Sequence, residues 1–302
     1  MFKRLELHNH TTESDAVFTC RELVEFMADD QVDAFALTDH NTISGHRKVK
    51  KILEETALPI SCIYGMEYTT YYGHILCLNL TEYVPWENIN RHKPELLFQA
   101  AREKGALTGV AHPYSFGWPF AQGCRFEMTI TDYSCCDFIE IFNNPEPLHE
   151  VNEKGLLLWE NLVLDGHALA ATCGMDLHGN SSLHGHYSTY IRGEQNGDIA
   201  KELENAVRSQ QTWVCKGPLL LAEINDGYLS FTLYQTEKPG YQAIPDEDYR
   251  ITLRSRSGTR TCRLSDRIPL SDFGSDDRII PKLFENETIL ENLVCVSPVI
   301  VL

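Results

Sequence analysis

The chain has 302 residues, of which 43% are hydrophobic and 23% charged, an ordinary globular composition able to bury one large core or one large and one small. Its formal net charge of −17 argues against holding long nucleic acid on a basic surface. It admits a small anionic substrate, provided divalent cations reverse the field inside a cleft. No stretch approaches the roughly 18 apolar residues of a membrane span, and Met1–Glu6 lacks the apolar segment of a signal peptide. Ten cysteines are scattered without a C-x-x-C pair, so reduced thiols and a cytoplasmic location are expected.

Strand and helix patterns alternate over residues 1 to about 190. Leu5–His8 reads as a short strand. Thr19 and Glu22 form a capping box that opens a helix to about Asp29. Ala34–Thr38 is an apolar strand, followed by a helix over about Ser44–Thr56. Ile60–Tyr64 and His74–Leu80 are two further strands; Pro94 starts a helix that Gly105 stops. Leu107–Ala111 and Phe138–Phe142 are strands of the buried type, a helix follows over Leu148–Leu164, and Ala168–Gly174 is the seventh strand. Strands apolar on both faces imply a parallel sheet covered by helices.

A helix over Asp198–Ser209 joins this part to a different one. Leu219–Ile224, Tyr228–Tyr234, Arg250–Ser255, Thr259–Leu264 and Leu293–Leu302 read as β segments between turn signals such as Asn225-Asp226-Gly227. The expected division is residues 1–215 for the strand-helix part with its connecting helix and 216–302 for a small antiparallel β domain, which contains no histidine.

Chemistry concentrates just after the strand patterns. His8-Asn9-His10, Asp15, Thr38-Asp39-His40, Gly65-Met66-Glu67, Gly73-His74, Ala111-His112-Pro113 and Asp176-Leu177-His178 place imidazoles and carboxylates where α/β barrels keep active sites. Seven strand ends converge only if the sheet closes, so a distorted seven-stranded (β/α) barrel is expected. Imidazole with carboxylate and no cysteine pair suits zinc, manganese or iron.

In this order the residues resemble the polymerase and histidinol phosphatase (PHP) superfamily over about residues 4–190. Gly65-Met66-Glu67-Tyr68-Thr69-Thr70, with Gly73-His74 behind it, looks more like the carbamate-hydrolase-like branch, as does Trp213-Val214-Cys215-Lys216-Gly217-Pro218. The resemblance implies the distorted seven-stranded barrel with two or three divalent metals. His8, His10, Glu67 and Asp176 would surround one; Glu67 would bridge to a second held by His74 and His112; Asp15, His40 and His178 would hold a third. His8, His10, Glu67, Asp176 and His178 would then stand around the reacting atoms. The implied reaction is hydrolysis of a phosphate ester or nucleotide by a hydroxide bridging the metals. A carbamate, ester or amide hydrolase with the same centre is the alternative. A non-catalytic regulatory protein that binds metal or ligand is a third.

Six more residues carry open readings. Asp39 either orients the His40 imidazole or sits as a carboxylate at a helix N-terminus. Glu140 faces either the metals or a salt bridge within the barrel. His46 meets a substrate anion or lies at the surface. His184 and His186 supply a proton to the leaving group or line a solvated loop. Arg125 is the best candidate for a phosphate clamp. The aromatic segment 114–120 suits a flat or apolar leaving group, or plugs the barrel mouth.

Overall fold

A computed structural model describes residues 1–116, 122–275 and 277–302. The strand-helix part comprises β1 (Phe2–Glu6), α1 (Cys20–Asp29), β2 (Ala34–Leu37), α2 (Gly45–Thr56), β3 (Ser61–Thr70), β4 (Gly73–Leu78), α3 (Glu95–Glu103), β5 (Leu107–Val110), β6 (Phe138–Asn143), α4 (Glu153–Leu164) and β7 (Ala170–Gly174). Thr19 caps α1 through the reciprocal pair with Glu22. Then come β8 (Ser188–Arg192), α5 (Ile199–Arg208) and β9 (Trp213–Cys215). The remainder is β10 (Leu219–Asn225), β11 (Tyr228–Tyr234), β12 (Tyr249–Ser255), β13 (Gly258–Cys262), β14 (Ile268–Pro269), β15 (Arg278–Glu285), β16 (Leu293–Val296) and β17 (Ile300–Val301).

The fold is mixed α/β around one large sheet, ordered β13-β12-β15-β16-β9-β8-β1-β2-β3-β4-β5-β6-β7, with a smaller β10-β11-β14 sheet beside it. The expected closed barrel is not formed among the described residues. β7 ends the order, and it returns to β1 only through one parallel bridge, Asn9–Leu177. A second correction concerns direction. β1/β2, β2/β3, β5/β6 and β6/β7 pair parallel, but β4 is antiparallel to both β3 and β5. β3 continues through the β-branched Thr69 and Thr70 and turns at Tyr71-Tyr72 into Gly73, whose φ of 140° is open to glycine. The segment between two expected strands is thus itself strand, and Glu67 lies within the hairpin.

α1 and α2 bury Leu23, Val24, Met27 and Val49 against Phe35 and Leu37 of β2. The alternate β2 residues, Ala34 and Ala36, join Leu5, Ile63, Leu76 and Phe138 in another apolar cluster, to which α5 adds Leu203 and Val207. α3 and α4 cover Met66, Ile75, Val110 and Ile139. The expected helix over 148–164 begins as a π-helical turn, Leu148–Asn152, and becomes α-helical at Glu153. In the last third, Tyr249, Ile251, Leu253, Leu283 and Val294 build a separate apolar cluster with Trp213 and Tyr190. β15 carries Pro281 in its interior, a residue that argues against a strand in sequence. No helix among the described residues is long and apolar enough to cross a membrane.

Candidate metal centre

Glu67 is the hub. Its Oε1 lies 2.8 Å from His74 Nδ1 and 3.0 Å from His112 Nε2. Its Oε2 lies 2.8 Å from His40 Nδ1, 3.2 Å from His8 Nε2 and 3.4 Å from His10 Nε2. One carboxylate, fully buried, therefore faces five imidazoles. Leu76 lies opposite it across the hairpin, and a Cβ at Gly65 would approach Cys77 O to 2.4 Å, which makes glycine necessary there.

Asp176 enters from the segment after β7 with its φ at 51°. Its Oδ1 lies 3.0 Å from His10 Nε2 and 3.4 Å from His8 Nε2. Further out, the half-exposed His178 has Nε2 3.2 Å from Asp15 Oδ1 and 3.4 Å from His40 Nε2. Asp15 itself is exposed, at 62%.

Four groups of ligand atoms follow: His8, His10, Glu67 and Asp176; His40, Glu67 and His74; His10, Asp15, His40 and His178; and His8, His112 and Glu140. The structure thus brings all nine expected ligands into one site. The second group adds His40 beside His74, while His74 and His112 share Glu67 Oε1 as the sequence led one to expect.

Backbone and carboxylate partners fix the rings. His8 Nδ1 donates to Glu140 Oε1 at 2.9 Å, and the other Glu140 oxygen accepts from the His112 N–H at 2.8 Å. His112 Nδ1 donates to Cys124 O at 3.0 Å, and His178 Nδ1 to Asp176 O at 2.8 Å. Each of these bonds leaves Nε2 turned toward the other ligands. Glu140 thus meets both the His8 ring and the His112 main chain, and stands in one ligand group with them.

Burial disfavours every charge here, yet the cluster compensates. For Glu67 burial acts upward, but His8, His74, His112 and His40 hold the carboxyl well below its usual range. Asp176 is likewise held well below its range against burial, chiefly by His8 and His10. Burial would lower His112, but the hydrogen bond and charge of Glu67, with Asp176 and Glu140, raise it to about 9. His10 goes the other way, lowered by its burial.

The donor set fits divalent cations on an observation beyond residue type. His8 Nε2, His10 Nδ1 and Glu67 Oε2 are buried without hydrogen-bond partners, an expensive condition for polar atoms unless something else binds them. Imidazole nitrogens with carboxylate oxygens and no thiolate suit borderline to hard metals.

Several expected residues lie elsewhere. Asp39 accepts from the Thr11 N–H at 2.7 Å, from Thr11 Oγ1 at 2.8 Å and from Ser14 Oγ at 2.8 Å. It organises the loop that presents Asp15, not the His40 ring. His46 Nε2 bonds Gly65 O at 2.8 Å, and burial lowers its pKa. Its ring supports the hairpin strand β3. His184 faces Asp30 at 3.1 Å, outside the ligand groups. His186 is half-buried and is lowered by burial and then by the Lys238 charge; it too is outside the ligand groups. Arg125 is exposed in a bridge with Tyr114. In segment 114–120, residues 117–120 lie outside the described residues.

Sequence reading missed Thr69, whose Oγ1 bonds His40 Nδ1, and Asn143, whose Nδ2 lies 3.3 Å from Asp176 Oδ2. The strand-end position of Asn143 after Glu140 was the available signal.

Fold and donor set together are of PHP type. The PHP domain model matches residues 6–112. An uncharacterized protein of Methanocaldococcus jannaschii is 30% identical over 151 residues, 46% of this chain and 81% of that protein. The chain belongs to the PHP family. It is also similar to a 5'-3' exoribonuclease of Escherichia coli K12, 27% identical over 116 residues, covering 35% of this chain but only 40% of the relative. A solved two-domain structure from Bacteroides vulgatus, described as containing a predicted PHP-like metal-dependent phosphoesterase, superposes with a TM-score of 0.58 at 14% identity. That match covers 99% of this chain and 95% of the other, and it shows a shared fold.

Proposed function

We propose that this chain is a metal-dependent phosphoesterase acting on a small phosphate ester or nucleotide, with residues 1–215 as the hydrolase part and 216–302 as a β-rich part. The observation that carries the reading is the Glu67 hub, where five imidazoles and unpartnered buried atoms surround one carboxylate. His8, His10, Glu67 and Asp176 would hold one ion, Glu67 and His74 with His40 or His112 a second, and Asp15, His40 and His178 a third. Two or three ions of manganese, zinc or iron suit these donors. Such ions supply Lewis acidity and lower the pKa of water, and so serve hydrolysis without a serine or cysteine nucleophile.

The chain's own residues do the rest. Glu140 holds His8 as the tautomer with Nε2 free, and the Cys124 carbonyl does the same for His112. The inner ligands His8, His10 and Glu67 are themselves buried from solvent. His178 Nε2 and Asp15 Oδ1, 3.2 Å apart at the exposed rim, stand where the third ion would be held. The exoribonuclease relative adds RNA ends to the substrate candidates and runs against the exclusion of nucleic acid drawn from net charge.

One observation favours the carbamate, ester or amide reading of the carbamate-hydrolase-like branch. Among the described residues, no lysine or arginine pairs with Glu67, Asp176 or Asp15, and a carbonyl substrate needs no cationic clamp. Metal analysis of protein purified without chelator, then assay against phosphomonoesters, phosphodiesters, nucleotides and aryl carbamates, decides between them. Phosphoester turnover abolished by His8→Ala is expected. Carbamate turnover alone would favour the second reading, and no bound metal would remove both.

A further inference from the structure

Asn143 closes β6 beside the ligand set without belonging to it. It is buried, its Nδ2 lies 3.3 Å from Asp176 Oδ2, and its Oδ1 has no hydrogen-bond partner. Its main chain is held on both sides by one residue. The Asn143 N–H donates to Asn152 Oδ1 at 2.8 Å, and Asn152 Nδ2 donates back to Asn143 O at 2.9 Å and to Glu146 O at 3.1 Å. Asn152 is the last residue of the π-helical turn, a geometry that recurs at functional sites.

The next residue grips the same loop from its other end. Asn144 Nδ2 donates to Tyr187 O at 2.6 Å and its Oδ1 accepts from the Tyr187 N–H at 3.2 Å. Two adjacent amides therefore pin the loop that carries Asp176 and His178, one at Asp176 and one at Tyr187. Such pinning has a purpose, because Asp176 adopts a φ of 51°, a conformation side chains resist unless their surroundings impose it. The Asp176 carboxylate is also divided between tasks. Oδ1 faces His10 and His8, while Oδ2 faces Asn143 and, at 3.9 Å, His112.

We propose that Asn143 is a positioning residue for Asp176, held in place by Asn152, and that it sets the carboxylate angle at which the innermost ion is bound. This rests on the metal centre proposed above. A neutral amide suits the role. A carboxylate there would repel Asp176, and an ammonium would compete with the ion for it. An apolar side chain of similar size would fill the space and leave Oδ2 free to rotate.

The test uses the full chain stripped of metal and titrated with Mn2+ or Co2+ alone. Asn143→Leu is expected to weaken the tightest site about tenfold to a hundredfold and to change the visible absorption of the Co2+-loaded protein. Asn152→Ala should shift that spectrum in the same direction by less. Asn152→Ala should also lower the melting temperature of the metal-free chain, because buried main-chain groups lose their partners, so the Co2+ spectrum recorded well below that temperature is the readout that separates positioning from folding. Wild-type affinity with an unchanged Co2+ spectrum in Asn143→Leu would overturn the inference. If that variant does not fold, an unchanged spectrum in Asn152→Ala overturns it instead. A wild-type chain that binds no metal would overturn the metal centre itself, and so is distinguishable from failure of the Asn143 role alone.

Discussion

The inner and outer halves of the ligand cluster are built from the same residue types but by different physics. His8, His10 and Glu67 are fully buried, and a hydrogen bond donated to Glu140 or pairing across a hairpin sets the orientation of His8 and Glu67. Asp15 and His178 stand in solvent at 62% and 37% exposure, on loops held by Asp39, Ser14 and backbone contacts. Charges in the inner half lack water and depend on one another; those in the outer half are hydrated and replaceable. The inner half should therefore behave as one unit and the outer half as separable parts.

The largest effect should come from Glu67→Gln, which removes the charge facing five imidazoles. Loss of at least about a hundredfold in metal affinity is expected, read by elemental analysis after dialysis; retention of the full metal complement would break the contrast. Glu140→Gln should come next, at about tenfold to a hundredfold in affinity or turnover, because an amide cannot serve both His8 Nδ1 and the His112 N–H as two acceptors. Asp15→Asn should remove at most one equivalent of metal and leave the melting temperature of the metal-free chain within about 2 °C.

Acidity sharpens the same comparison. In the metal-free chain His112 titrates at about 9 against the ordinary 6.5. A raised imidazole adds stability that is fully present below about 6.5 and lost as pH rises through 9. Ions displace those protons, so the melting-temperature gain on metal loading should widen from pH 6.5 to pH 9, as scanning calorimetry of loaded and stripped protein would show. A constant gain would mean the imidazoles are already neutral. The smallest effect is expected for His184→Ala. Its ring pairs with Asp30 from an exposed position, and turnover should change less than twofold with stability within about 0.5 kcal/mol.

Much of the inner half was legible in sequence because ligands follow apolar strand patterns, and those patterns survive folding. All seven strands and the four helices between them fall near their expected places, and the capping box at Thr19 is formed. What escaped was three-dimensional pairing. The hairpin that contains Glu67 could not be read from a segment holding Gly65, Tyr71, Tyr72 and Gly73, where turn and strand residues are mixed. β15 was hidden by Pro281, and barrel closure was inferred from convergence that an open, curved order achieves through one Asn9–Leu177 bridge. Asp39, His46 and His184 each left two readings open in sequence, because nearness to a ligand along the chain says nothing about which neighbour a side chain meets.

The position of Glu67 in mid-hairpin also makes the metal an indicator of strand alignment. Neighbouring strand residues point to opposite faces, so a slip of β3 by one position against β4 would turn Glu67 outward and bring Met66 in. Molecules mispaired in this way would turn Glu67 into the apolar layer that holds Met66 and Tyr68 and would capture no ion. In a refolded preparation, the fraction of chains that take up metal would then count those whose hairpin has found its native alignment.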